Sequence, residues 1–285
     1  MSGSRLDMFG AEPGPIGVFD SGYGGLTILQ DMRRVLPCYD YLYLGDNARA
    51  PYGPRSFDVV YRFTRQAVLK LFGMGCSLVI LACNTASAKA LRTIQQTDLP
   101  LIDPTRRVLG VIRPTAECIG TITRSQHIGI LATEGTVRSR SYELEIAKLW
   151  PSITVSGVAC PLWAAIVEAN EASSDGADYF VGKRIRQLMA KDNLIDSIIL
   201  GCTHYPLLLP LIRKHTPAGV NIIPQGMYVA LSLKAYLTKH PAIDARCTRH
   251  ATCRYLTTES PERFKETARV FLNEDIDVEN VDLEM

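Results

Sequence analysis

No Cys-x-x-Cys pair occurs in this chain of 285 residues, although cysteine itself appears eight times, at positions 38, 76, 83, 118, 160, 202, 247 and 253. The scatter excludes the disulfide framework of a small secreted domain and predicts reduced thiols, most of them small core residues. Charge of one sign is also lacking. With 31 Lys and Arg against 29 Asp and Glu, the net charge of +2 gives no field to draw nucleic acid or a membrane surface. Long uncharged apolar runs are missing, and residues 1–15 are Gly, Pro and polar, without the apolar centre of a signal peptide. Neither a Gly-x-Gly-x-x-Gly loop nor a Gly-Lys-Ser/Thr ending is found, so a nucleotide-phosphate site is a weak reading. These absences leave a small-molecule function, expected in the cytoplasm, with neither nucleic acid nor membrane as a partner.

What is present is a chain 47% hydrophobic, long enough to bury a sizeable core as one large domain or two modest ones. Short apolar runs read as strands at 16–19, 41–44, 78–81, 128–131, 155–158 and 197–200. Between them lie helical patterns: 56–72, with Phe57, Val60, Tyr61, Val68 and Leu71 at a helical period, and 179–189, with Phe180, Ile185 and Leu188. The alternation predicts parallel sheets covered by helices.

The pattern occurs twice. Ile16-Gly-Val-Phe-Asp-Ser-Gly-Tyr-Gly-Gly25 is echoed by Ile128-Gly-Ile-Leu-Ala-Thr-Glu-Gly-Thr-Val137. At a similar offset, Leu78-Val-Ile-Leu-Ala-Cys-Asn-Thr85 is echoed by Ser197-Ile-Ile-Leu-Gly-Cys-Thr-His204. Two copies of one α/β unit account for both echoes. The tail adds a strand at 254–257 and a helix opening at Ser260-Pro261-Glu262, whose apolar face is Phe264, Ala268, Phe271 and Leu272. The expected division is a first α/β domain of residues 1–107 and 222–285, carrying Cys83, and a second of 108–221, carrying Cys202.

Ligands of open parallel sheets sit beyond the carboxyl ends of the strands, and both Cys83 and Cys202 fall there. At a helix N-terminus a thiolate is favoured by the dipole, and Asn84, Thr85 and Thr203 can hydrogen-bond an anionic ligand. A random cysteine in such a place is a buried strand end, but two equivalent thiols in a duplicated loop weaken that alternative. Asp20 ends the first strand before a glycine loop; a carboxylate there repels phosphate but can accept a proton or hold an ammonium group. Taken alone it serves equally as a helix N-cap. His204, two residues from Cys202, is a candidate acid or base. Cys247, His250 and Cys253 lack the spacing of zinc motifs, so no metal site is expected.

Four motifs together resemble the signatures of bacterial glutamate racemases, within the aspartate/glutamate racemase family: Val-Phe-Asp20-Ser-Gly-Tyr-Gly-Gly, Leu-Gly-Asp-Asn-Ala-Arg-Ala-Pro51-Tyr52-Gly53, Ala-Cys83-Asn-Thr-Ala-Ser and Gly-Cys202-Thr-His204-Tyr-Pro. Their order and spacing agree over about residues 16–272. The resemblance implies two pseudo-symmetric domains, each a mostly parallel sheet flanked by helices, with the active site in the interdomain cleft and no cofactor. It implies that Cys83 takes the proton from D-glutamate and Cys202 from L-glutamate, assisted by Asp20 and His204 respectively. Glu168 matches the acid that supports this histidine; by itself it reads as a helix-surface carboxylate. Ser21, Pro51, Tyr52, Gly53, Asn84, Thr85, Thr133, Thr136 and Thr203 match substrate-binding positions, together with Asp20 and His204.

His204 stands where aspartate-specific members are expected to carry Glu, which favours L- and D-glutamate as substrates, with D-glutamate supplied to peptidoglycan. A homodimer is compatible with the resemblance. Two segments depart from the pattern: Pro224-Gln225-Gly226, where Asp-Ser-Gly is commoner, and Ala164-Ala165-Ile166, where Val-Pro-Leu is commoner. Competing readings are a relative acting on aspartate or a hydantoin, a thiol hydrolase built on Cys202, His204 and Glu168, and a two-lobed binding protein for an acidic ligand. The hydrolase reading leaves Cys83 unexplained, and a Cys and His so close in sequence make its geometry awkward.

Overall fold

The computed structural model describes residues 12–283, so most of the polar stretch before Pro15 lies outside the described residues. Ten strands, β1 (Ile16–Asp20), β2 (Tyr41–Gly45), β3 (Leu78–Leu81), β4 (Arg107–Gly110), β5 (His127–Ala132), β6 (Thr154–Ala159), β7 (Ser197–Gly201), β8 (Asn221–Ile223), β9 (Cys253–Thr257) and β10 (Val278–Asn280), form two sheets among these residues. One runs β10-β9-β2-β1-β3-β4 and the other β6-β5-β7-β8, and every pairing is parallel. β1, β2, β3 and β7 are buried along their whole length, as parallel strands covered by helices on both faces must be.

The order β2-β1-β3-β4 recurs as β6-β5-β7-β8. The two sequence echoes are therefore topologically equivalent: β1 corresponds to β5 and β3 to β7. In each sheet these are the central strands on either side of the point where strand order reverses, and their carboxyl ends flank the crevice that such a sheet offers to a ligand. The tail rejoins the first sheet through β9, which pairs with β2, and β10, which pairs with β9.

The expected division at 107 and 222 cuts through two strands. β4 pairs with β3 in the first sheet, so the chain leaves that sheet only after Gly110; β8 pairs with β7, so the return comes after Ile223. Both are edge strands of four and three residues, only partly buried, and too short for a period-two pattern.

Helix Phe57–Gly73 is capped by Ser56, whose hydroxyl accepts from Val59 N–H, and buries Val60, Thr64, Ala67, Val68, Leu71 and Phe72. Phe57, expected on that face, is exposed. Helix Asp175–Lys191 begins four residues earlier than its periodicity suggests, capped by Ser174, because its first turn is polar and exposed apart from Ala177. Helix Pro261–Leu272, capped by Ser260, buries the four residues expected of it. Helix Gly226–Lys239 packs on helix Gly25–Val35; a Cβ at Gly226 would lie 1.9 Å from an Asp31 carboxylate oxygen, so a side chain there would require the Asp31 carboxylate to move. Among the described residues no helix is long and apolar enough to cross a membrane.

Candidate active site

Asp20, at the end of β1, is 1% exposed; its Oδ2 accepts from Gly22 N–H at 3.0 Å, while its buried Oδ1 has no partner. Burial raises its pKa, against the charge of His204 and the Gly25 and Gly22 amides. The loop that follows is not a phosphate cradle. A Cβ on Gly24 would stand 2.2 Å from Thr203 Oγ1 and 2.4 Å from His204 Nδ1, so the loop's lack of side chains lets the opposite lobe's Cys202–His204 turn rest directly on its backbone.

Cys83 caps helix Asn84–Lys89, its sulfur accepting from Ala86 N–H at 3.4 Å and lying 3.3 Å from Ser21 Oγ. Burial, then the charge of Asp20 and least that of Cys202, push this thiol up to about 12, against the Ser21 hydroxyl and the Ala86 amide. Asp20 thus acts on Cys83 through its field, and the direct hydrogen-bond partner is Ser21.

Cys202 follows β7 without capping a helix, contrary to the expectation that both thiols sit at helix N-termini: Thr203 and His204 intervene before the short helical turn Tyr205–Leu208. Its polarisation comes from His204 instead, with Nδ1 3.8 Å from the sulfur and Nε2 2.8 Å from Glu168 Oε1. Burial opposes the imidazolium, but the hydrogen bonds and charges of Cys202 and Glu168 prevail and raise its pKa to about 10. Glu168 ends helix Trp163–Glu168, where the dipole disfavours a carboxylate and a cationic partner compensates. The Cys-His-Glu line that looks awkward on paper is therefore formed, because the turn after β7 folds His204 back along Cys202. The Phe271 ring stands edge-on to His204 at 5.5 Å.

The lobes are closed on each other. Thr85 Oγ1 lies 2.9 Å from Thr133 Oγ1 and 3.4 Å from Thr136 Oγ1, and Gly135 N–H donates to the Gly53 carbonyl at 3.0 Å. The Thr203 carbonyl accepts from Thr27 Oγ1 at 3.0 Å, and Asn84 and Thr203 are buried beside the thiols. The Tyr52 phenol donates to Asp46, and Pro51 is exposed without an N–H to offer.

Surface grooves lie elsewhere, one of about 350 Å³ between Arg33 and Glu274 and one of about 440 Å³ beside Thr216 and Tyr228. The thiols are buried between the lobes instead, each no more than 7% exposed. Cys247, His250 and Cys253 are separately committed: the Cys247 thiol donates to the Ile243 carbonyl, His250 Nδ1 meets Asp40 and Cys253 opens β9. Among the described residues no three or more His, Cys, Asp and Glu side chains are grouped to hold a metal. Sequence reasoning gave no role at the site to Phe271, which reads as an ordinary apolar position of its helix, or to Tyr142.

The Asp/Glu/Hydantoin racemase family model matches residues 27–230. The chain is 38% identical over 268 residues to a glutamate racemase of Streptococcus agalactiae, covering 94% of this chain and 98% of that protein. Its fold is similar to the crystal structure of a glutamate racemase isoform from Bacillus anthracis, with a TM-score of 0.86, 34% identity and coverage of 94% and 97% of the two chains. A glutamate racemase from Francisella tularensis in complex with D-glutamate is similar with a TM-score of 0.83 and 29% identity, over 95% of this chain and 98% of that one.

Proposed function

This chain belongs to the Asp/Glu/Hydantoin racemase family, and from that premise we propose that it interconverts L- and D-glutamate by proton transfer between two thiols, Cys83 and Cys202. The observation that carries the reading is the placement of these cysteines at equivalent strand ends of duplicated sheets, each of them buried. Inverting a carbon needs a base on one face and an acid on the other, because one group would mostly return the proton to the face it left.

The flanking groups divide the labour. Cys83, held as a thiol by burial and by Asp20, is the acid of the resting site. Cys202, beside an imidazolium supported by Glu168, is the group placed to act as base. L-glutamate gives its α-proton to Cys202 while Cys83 delivers its own to the opposite face; D-glutamate runs the transfers in reverse. Thr85, Thr133, Thr136, Asn84 and Thr203 supply preorganised donors for the carboxylates, and burial between the closed lobes strengthens their hold on developing carbanion charge. Asp20 Oδ1, buried and unpartnered, is suited to the substrate ammonium. Opening and closing of the lobes admits the amino acid.

D-glutamate made this way would feed peptidoglycan synthesis. We propose a cytoplasmic location with it, and a homodimer as the assembly to test by analytical ultracentrifugation. The deciding experiment is turnover of each enantiomer in D2O: loss of optical activity should accompany entry of one solvent deuterium at Cα of the product enantiomer. Inversion without exchange would overturn the two-thiol scheme, and turnover of L-aspartate in preference to glutamate would overturn the substrate.

A further inference from the structure

We propose that Gln225 is a positioning residue for this reaction, fixing the direction in which the Asn84 side-chain amide faces the substrate. The proposal rests on the reading that Asn84, next to Cys83, binds the amino acid. Gln225 belongs to one of the two segments that depart from the pattern of the resemblance, and it is 2% exposed.

The chain passes between the lobes twice, through Val111 after β4 and through residues 224–226 after β8. Gln225 stands on the second passage and reaches the first: the two hydrogens of its Nε2 are shared among three acceptors, the Tyr142 hydroxyl at 2.6 Å and the Val111 carbonyl and Thr115 Oγ1 at 3.1 Å each. Its Oε1 accepts from Asn84 Nδ2 at 2.7 Å, and the Tyr142 hydroxyl donates to Asn84 Oδ1 at 2.7 Å. These contacts admit one set of orientations. A carbonyl only accepts, so Val111 decides which end of the Gln225 amide it meets. Oε1 must then face Asn84, which must answer with Nδ2. Asn84 Oδ1 is left toward Tyr142, whose proton goes there because its oxygen already receives one from Gln225. Reversing either amide would set donor against donor or acceptor against acceptor. Asn84 keeps one N–H and one acceptor site for a ligand, held in a fixed direction by a buried ring.

A role through Asn84 is separable from a role in holding the fold. Gln225→Ala should raise KM for D-glutamate about tenfold, one hydrogen bond's worth of orientation, with kcat within about twofold. In an Asn84→Ala background the same change should add less than about twofold, since the amide it positions is gone. Tyr142→Phe, which keeps the ring and removes the donor to Oδ1, should raise KM by about threefold and serves if Gln225→Ala does not fold. Independently of activity, the Asn84 side-chain amide protons, assigned by 15N NMR against Asn84→Asp, should exchange slowly in the parent protein and fast in Gln225→Ala or Tyr142→Phe. An unchanged KM, a tenfold effect that persists without Asn84, or equal amide exchange in parent and variants overturns the proposal. If the parent protein fails to racemise glutamate, the function proposed above falls, while the amide exchange still decides whether Gln225 and Tyr142 hold the Asn84 side chain in one direction.

Discussion

Replacing Glu168 by Gln removes a charge from the Cys202 side of the site while leaving an acceptor of the same shape. His204 loses its proton near pH 10 rather than near the ordinary 6.5, because bonds and charges from Cys202 and Glu168 outweigh burial. A neighbouring opposite charge shifts a pKa by about 1–3 pH units. The Glu168 side chain is 36% exposed and so partly screened, which puts its share near the lower end, about one unit. The sign follows: without the carboxylate the imidazolium gives up its proton at lower pH, so the alkaline limb of kcat/KM moves toward acid. A limb displaced from about 10 to about 9 predicts little loss near pH 7, about twofold at pH 9 and about fivefold at pH 10. Circular dichroism of glutamate at a series of pH values measures this directly. An alkaline limb that does not move, or moves the other way, would refute the claim that Glu168 sustains a charged His204.

Cys83→Ser and Cys202→Ser should each lower racemisation by about a thousandfold or more, in the range of a lost general acid or base; full activity in either would contradict a two-sided site. Gly24→Ala places a methyl 2.2 Å from Thr203 Oγ1 and 2.4 Å from His204 Nδ1, so activity should fall about a hundredfold with the far-UV spectrum kept; an active variant would show that the lobes do not seat there in turnover. Asp196 accepts from Thr123 Oγ1 and the Arg124 and Ser125 amides, which bring its pKa to about 2 in spite of burial. Its stabilisation is therefore present above the ordinary 3.8 and lost as pH falls through about 2, so Asp196→Asn should lower Tm at pH 7 by a margin that closes in acid; a constant margin would show that the carboxylate's charge is not what holds the 123–125 turn.

The central strands were legible because a parallel strand buried on both faces writes a continuous apolar run, as 78–81 and 197–200 do. β4, β8 and β10 were not, since edge strands of three or four partly exposed residues carry no pattern. The duplication was readable at β1 and β3, whose echoes β5 and β7 keep both apolar core and loop chemistry. The glycine loop was seen as permissive but not as a seat for His204, because a contact between residues 24 and 204 belongs to lobe closure and leaves no local trace. Tyr52 shows the reverse limit: its motif is plain, yet the direction of its phenol depends on Asp46, fixed only in three dimensions. Tyr142 and Gln225 meet from separate lobe elements, and nothing within either segment announces the other.

Duplication supplies two thiols, and divergence around them decides which one holds the proton at rest. One lobe surrounds Cys83 with Asp20 and burial, which keep it protonated up to about 12; the other gives Cys202 a cation. A Cys83 that holds its proton is the acid that L-glutamate requires, and D-glutamate must select the minor form in which Cys83 has lost it. Selecting a minor form raises the apparent dissociation constant in inverse proportion to its population. Enantiomers have equal free energies in an achiral solvent, so kcat/KM must be the same in both directions at every pH. The asymmetry can appear only as a larger KM for D-glutamate matched by a kcat larger in the same ratio. Steady-state rates with each enantiomer test this ordering: a KM for L-glutamate equal to or above that for D-glutamate would mean that the resting protons lie the other way round, and that Cys83 works at rest as the base.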